Sequence, residues 1–264
     1  MVTTRSGAAA ATQPTASSSS SATMTTTTST NPAAAGVRWL HAPDSTTMFW
    51  FAVSLPLVIW DSIYVLGRPH TMEGGWLFWP LYVPYKLYGE VDHVYGWKSY
   101  NARNGFTSAQ GSLNVVETAM YLGYLWLWLT RAREVYVAGR GNVKVLSGRP
   151  AAVAVLLAFT AAIMTLSKTV LYWLNEYYSG FDNIGHNSIQ DLIPLWIIPK
   201  LVLPPFLVSI NDVRAASSIL TQGIFPFTSG AWLIFPSYMI YVMGNEIIEG
   251  LTAASTGGAG IKTE

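Results

Sequence analysis

The chain of 264 residues is 51% hydrophobic and 13% aromatic but only 11% charged, whereas an ordinary soluble domain carries about 25% charged residues. Fifteen Lys and Arg against fourteen Asp and Glu leave a net charge of +1. That lacks the basic excess of a nucleic-acid binder, so nucleic acid is not expected as a partner. Cysteine is absent, which excludes disulfide frameworks, thiolate metal sites, iron–sulfur clusters and cysteine nucleophiles.

Residues 1–36 are dominated by Ala, Ser and Thr, including the run Ser17 to Ser21, with no aromatic residue and the single charge Arg5. Such a segment has no apolar surface to bury and is expected to be a disordered tail. Its composition fits neither a secretory signal nor a mitochondrial presequence.

The body, residues 46–250, carries long apolar runs. Met48 to Leu66 is 19 residues with Asp61 as its only charge, the length a helix needs to cross about 30 Å of hydrocarbon. Leu113 to Thr130 follows with Glu117 as its only carboxylate, and Ala151 to Leu174 with Lys168 as its only charge. Two further runs are Leu192 to Ile210, interrupted by Pro194, Pro199, Pro204 and Pro205, and the uncharged Ile224 to Met243. The fold class expected is an all-α membrane protein, a bundle of four transmembrane helices with a fifth apolar segment to be accounted for. Residues 251–264 are read as a C-terminal tail.

Arg131, Arg133, Arg140, Lys144 and Arg149 lie between the second and third runs against the lone acid Glu134. This short loop, and with it the N-terminus, is expected on the cytosolic side. Residues 67 to about 109 then fall on the other side. They are rich in Trp and Tyr and punctuated by Gly67, Pro69, Gly74, Gly75, Pro80 and Pro84, which predicts an irregular cap in the headgroup zone rather than a long helix.

Charges inside apolar spans are expensive and mark candidate sites. Antiparallel packing of the first two spans would bring Asp61 and Glu117 to the same non-cytosolic half, facing one cavity. Burial favours a protonated carboxyl, so one of the two would serve as general acid and the other as base or countercharge. Pairing of Asp61 or Glu117 with Lys168, holding the bundle together, is the alternative reading. Asn175, Glu176, Asp182, Asn183, His186, Asn187 and Asp191 form a second polar cluster on the same side, in a stretch that reads as a turn. No fixed ligand spacing supports a metal there, so none is expected.

Asp61 in its span, FTSAQGSLNVVET ending at Glu117 and Thr118, YWLNEYYSGFDNIGH from Tyr172 to His186 and AWLIFP from Ala231 to Pro236 together resemble the emopamil-binding-protein superfamily, the EXPERA domain, in its fungal-type members. The resemblance covers the body and not the tail. It implies a four-helix membrane domain of the endoplasmic reticulum with a sterol-sized cavity, and is compatible with a homodimer. The family's best-known enzyme shifts a sterol double bond from delta-8 to delta-7. Other members bind sterols or related lipids without chemistry, and both readings stand.

By this resemblance Asp61, Glu117 and Asp92 are the catalytic acids, and Trp232 holds the cationic intermediate over its ring. Trp60, Tyr95, Tyr121, Asn175 and Glu176 are expected around the ligand. The reaction is a proton gained and a proton lost, which requires no cofactor. Two positions depart from the isomerase pattern: Leu57 stands where a histidine is expected, and Ser229 where an asparagine is. Lys200 to Ser229 also separates PLWIIP from AWLIFP. It reads as an insertion, of the kind a retained intron translated in frame would make, within what is otherwise one fourth span.

Overall fold

The computed structural model describes residues 39–192, apart from 138 and 140, and residues 231–257. The tail at 1–36, Ser229, most of the run from Leu192 to Ile210, the insertion at 200–229 and the last residues of the C-terminal tail lie outside the described residues.

The described chain is mostly helical. Asp44 opens the first helix, α1 (Ser45–Leu66), by accepting the backbone N–H of Thr47 at 2.6 Å, as helix N-caps do. The cap that follows holds two short helices, α2 (Pro84–Val91) and α3 (Trp97–Asn101). Helix α4 (Phe106–Arg131) returns. A hairpin of β2 (Arg133–Val137) and β3 (Gly141–Ser147) leads into α5 (Gly148–Tyr178), and the short β1 (Leu40–His41) adds to the free edge of β3. A single turn, α6 (Ile189–Leu192), and α7 (Ala231–Gly257) complete the described elements.

Helix α5 packs between α4 and α7, and α1 packs on α4. Close approach is possible because α5 faces its neighbours with Ala151, Ala154, Ala158, Ala161 and Ala162, all fully buried. Small residues at a helix interface let backbones approach and gain dispersion contacts. Gly111 does the same between α1 and α4, where a Cβ would stand 2.9 Å from Val65. In the cap, Gly96 lies against Gly89 so closely that a Cβ would meet the Gly89 carbonyl at 2.3 Å.

Large apolar side chains point the other way. Leu129 is 79% exposed, and Ile63, Trp126, Leu156, Ile234 and Ile248 are all more than half exposed. Two helices, α1 and α5, are long and apolar enough to cross a membrane, with mean hydropathies of 1.7 and 2.0.

Helix α7 runs antiparallel to α1. Trp232 meets Trp50 at 4.7 Å, the Tyr238 hydroxyl donates to Asp44 at 2.9 Å, and Glu246 reaches His41 at 2.6 Å. It therefore begins near the second turn of α1 and continues beyond β1, where Gly250 lies against Trp39.

Several expected boundaries move. The loop between the second and third spans is a β-hairpin, in which Val135 and Val143 pair across the strands. Helix α4 starts seven residues before Leu113, so Glu117 lies about three turns into it rather than in its first turns. Helix α5 extends through Glu176 to Tyr178, and the turn begins only at Ser179. Of the fifth apolar run, the part from Ala231 is helical, and the helix continues to Gly257, so residues 251–257 are not part of a tail.

Candidate functional site

Three polar layers are stacked inside the helices. In the lowest, Glu117 of α4, 2% exposed, lies 2.7 Å from Nζ of Lys168 on α5. Lys168 Nζ also donates to Asn114, three residues before Glu117 and so on the same face of α4. Glu117 shares a narrow cleft with Ser54 and Val58 of α1, Thr118 and Tyr121 of α4, and Trp232 of α7. The Trp232 ring meets Trp50 edge-on. The cleft is partly open. Its polar wall includes the Ser54 hydroxyl, which is buried without a hydrogen-bond partner.

Asp61 does not line this cleft. It lies three residues beyond Val58, about 4.5 Å further along the helix axis. The cap receives it there: Tyr85 donates its hydroxyl to Asp61 Oδ1 at 2.8 Å and Tyr95 to Oδ2 at 3.5 Å. Tyr85 is itself fixed by a stack on Tyr64, with ring centroids 3.7 Å apart and planes within 10°, and by Trp60 at 4.7 Å. Burial pushes the Tyr85 and Tyr95 phenols well above their ordinary value, with the Asp61 carboxylate adding to it, so both remain protonated donors at neutral pH. The expected histidine one turn before Asp61 is Leu57. Asp61 receives hydrogen bonds from the cap residues Tyr85 and Tyr95.

The third layer is Asp92, at the end of α2 and fully buried. It accepts the Tyr172 hydroxyl from α5 and the backbone N–H of Val94 at 3.2 Å. Tyr88 and Tyr95 meet edge to face at 4.9 Å and bridge the space between Asp61 and Asp92. Beside them Glu176, 1% exposed, accepts Asn183 Nδ2 at 2.8 Å, while Asn175 is half-buried near the end of α5.

The predicted residues thus divide. Glu117, Tyr121 and Trp232 meet in the cleft; Asp61, Tyr95 and Trp60 meet under the cap; Asp92 and Glu176 are buried at the cap end. Asp61 is not among the residues that line the cleft of Glu117, and the ion pair with Lys168 is realised for Glu117. Within the second polar cluster Glu176 accepts from Asn183, Asp182 pairs with Lys98 at 2.8 Å, and His186 Nε2 donates to the Glu90 carbonyl at 2.8 Å. Sequence reasoning missed Ser54, Asn114, Tyr85 and Tyr172. Ser54 was legible in principle, since Ser54, Val58 and Asp61 follow the spacing of one helix face.

No family model, curated protein or solved structure matches this chain.

Proposed function

We propose that the chain is a four-span integral membrane protein of the endoplasmic reticulum, with its N-terminus cytosolic, that acts as a sterol double-bond isomerase of the delta-8 to delta-7 type. Location and substrate class rest on the resemblance to the emopamil-binding-protein superfamily. The membrane reading is supported by large apolar side chains exposed on all four long helices, the reverse of a soluble bundle. The arginine- and lysine-bearing hairpin at one end supports the orientation.

The observation that carries the activity is the sharing of one apolar cleft by the Glu117 carboxylate and the Trp232 ring. Isomerisation needs an acid to protonate one carbon of the double bond, a stabiliser for the tertiary cation so formed, and a base to take a proton from the neighbouring carbon. One proton enters and one leaves, with no change of oxidation state. Asp61 and Asp92 are the acid side of this scheme, Glu117 the base or countercharge, and Trp232 the cation-stabilising face.

A second reading, a sterol- or lipid-binding protein without chemistry, is favoured by the Glu117–Lys168 pair, which already gives the carboxylate a partner. Complementation of a yeast strain lacking sterol delta-8 isomerase separates the two. Rescue by the wild type, lost in Asp61→Asn and Glu117→Gln at matched expression, supports the enzyme. Rescue that survives both substitutions rejects the catalytic assignment, and no rescue by a well-expressed wild type favours the binding protein.

A further inference from the structure

The acid of the first span sits at the top of α1, where the helix gives way to the cap, and it is half-buried. A carboxylate on a short side chain at such a position has several rotamers open to it. Productive proton transfer needs one of them held, because a proton moves efficiently only over hydrogen-bond distance. The holding group must itself be rigid, and it must not change charge as the carboxyl does.

Tyr85 meets these conditions. It is 5% exposed, its ring is stacked on Tyr64 and flanked by Trp60, Tyr88 and Tyr95, and its hydroxyl reaches Asp61 Oδ1 at 2.8 Å. Tyr95 makes the weaker contact, at 3.5 Å, near the limit of a hydrogen bond. Tyr85 belongs to α2, so the bond ties the cap to the carboxylate.

We propose that Tyr85 is a positioning residue, which fixes the Asp61 carboxyl for proton transfer through a hydrogen bond delivered by the cap. The proposal rests on Asp61 being the acid of the isomerase reading. A phenol donates without titrating near neutrality, so this device works unchanged across the physiological pH range, unlike a histidine.

The test uses the full chain in lipid nanodiscs. Infrared difference spectra, Asp61→Asn subtracted from its parent, isolate the Asp61 carboxyl band in the wild type, Tyr85→Phe and Tyr95→Phe. Turnover of a sterol carrying the delta-8 double bond is measured alongside. In Tyr85→Phe, which keeps the ring and its stack, the Asp61 band shifts and kcat falls about ten-fold with KM little changed. Tyr95→Phe gives a smaller shift. An unmoved Asp61 band in Tyr85→Phe overturns the proposal, as does a shifted band with unchanged kcat. A wild type without turnover rejects the isomerase reading itself, and the band shift then still decides whether Tyr85 positions Asp61.

Discussion

Glu117 and Lys168 form an ion pair at 2.7 Å between α4 and α5, with both side chains removed from solvent. Asn114 occupies a further donor site of the ammonium, so the lysine is solvated by α4 in place of water. Buried charges are tolerated only when so arranged, and a pair of this kind adds little net stability while its two halves are individually indispensable.

Glu117→Gln or Lys168→Met alone is therefore expected to cost about 3–5 kcal/mol, because each leaves one buried charge uncompensated. The double variant Glu117→Met/Lys168→Met loses much less. Thermal melts of the purified protein followed by tryptophan fluorescence report the order. Two singles no less stable than the double would reject the pairing as drawn.

How far this was readable in advance differs from residue to residue. The cores of α1 and α5 follow from apolar length alone, and Lys168 stood out as the only base within the first three runs, so its pairing with one of two acids was foreseeable. The hairpin was hidden behind its own charges: REVYV and GNVKVLS alternate with period two around Gly139 and Gly141, but Arg133, Glu134 and Lys144 drew the eye to orientation. The Tyr85–Asp61 bond had no local signal at all. It spans 24 residues of aperiodic, glycine- and proline-broken chain, where neither helix nor strand spacing says which ring meets which carboxylate.

Backbone contact without side chains sets the next expectation. A Cβ on Gly96 would stand 2.3 Å from the Gly89 carbonyl, so Gly96→Ala must force α2 and α3 apart, at about 1–3 kcal/mol for overpacking. Limited proteolysis within residues 67–105 should accelerate in this variant. Gly105→Ala, with open space at that position, should leave the rate unchanged.

At the hairpin end, His41 is fully buried between the Glu246 carboxylate, 2.6 Å from Nδ1, and the Tyr124 hydroxyl, 2.8 Å from Nε2. It joins β1, α4 and α7 in one contact. His41→Ala leaves a cavity and two groups without this partner, which should lower stability by about 2–4 kcal/mol. Tyr124→Phe should lower it by about 1 kcal/mol. Melting temperatures in that order are the check, and the reverse order would place the anchor elsewhere.

The cap is joined to the turn after α5 by groups that titrate. His93 and His186 stack with centroids 4.0 Å apart and planes within 2°, while Lys98 pairs with Asp182. Burial holds His93 below its ordinary value, helped by His186 and Lys98. Below about pH 6.5 the unfolded chain thus binds a proton that the folded cap refuses. The stabilisation from neutral His93 is present above that pH and is lost as pH falls through the depressed folded value. The Asp182 carboxyl is held low by its hydrogen bond to Lys98. Its share persists below the His93 transition and disappears only as pH falls through the folded carboxyl value. Hydrogen exchange at residues 179–188, corrected for intrinsic rate, should therefore rise in two steps on acidification, the first removed by His93→Phe and the second by Asp182→Asn. A single step unaffected by His93→Phe would show that the imidazole stack does not secure the cap.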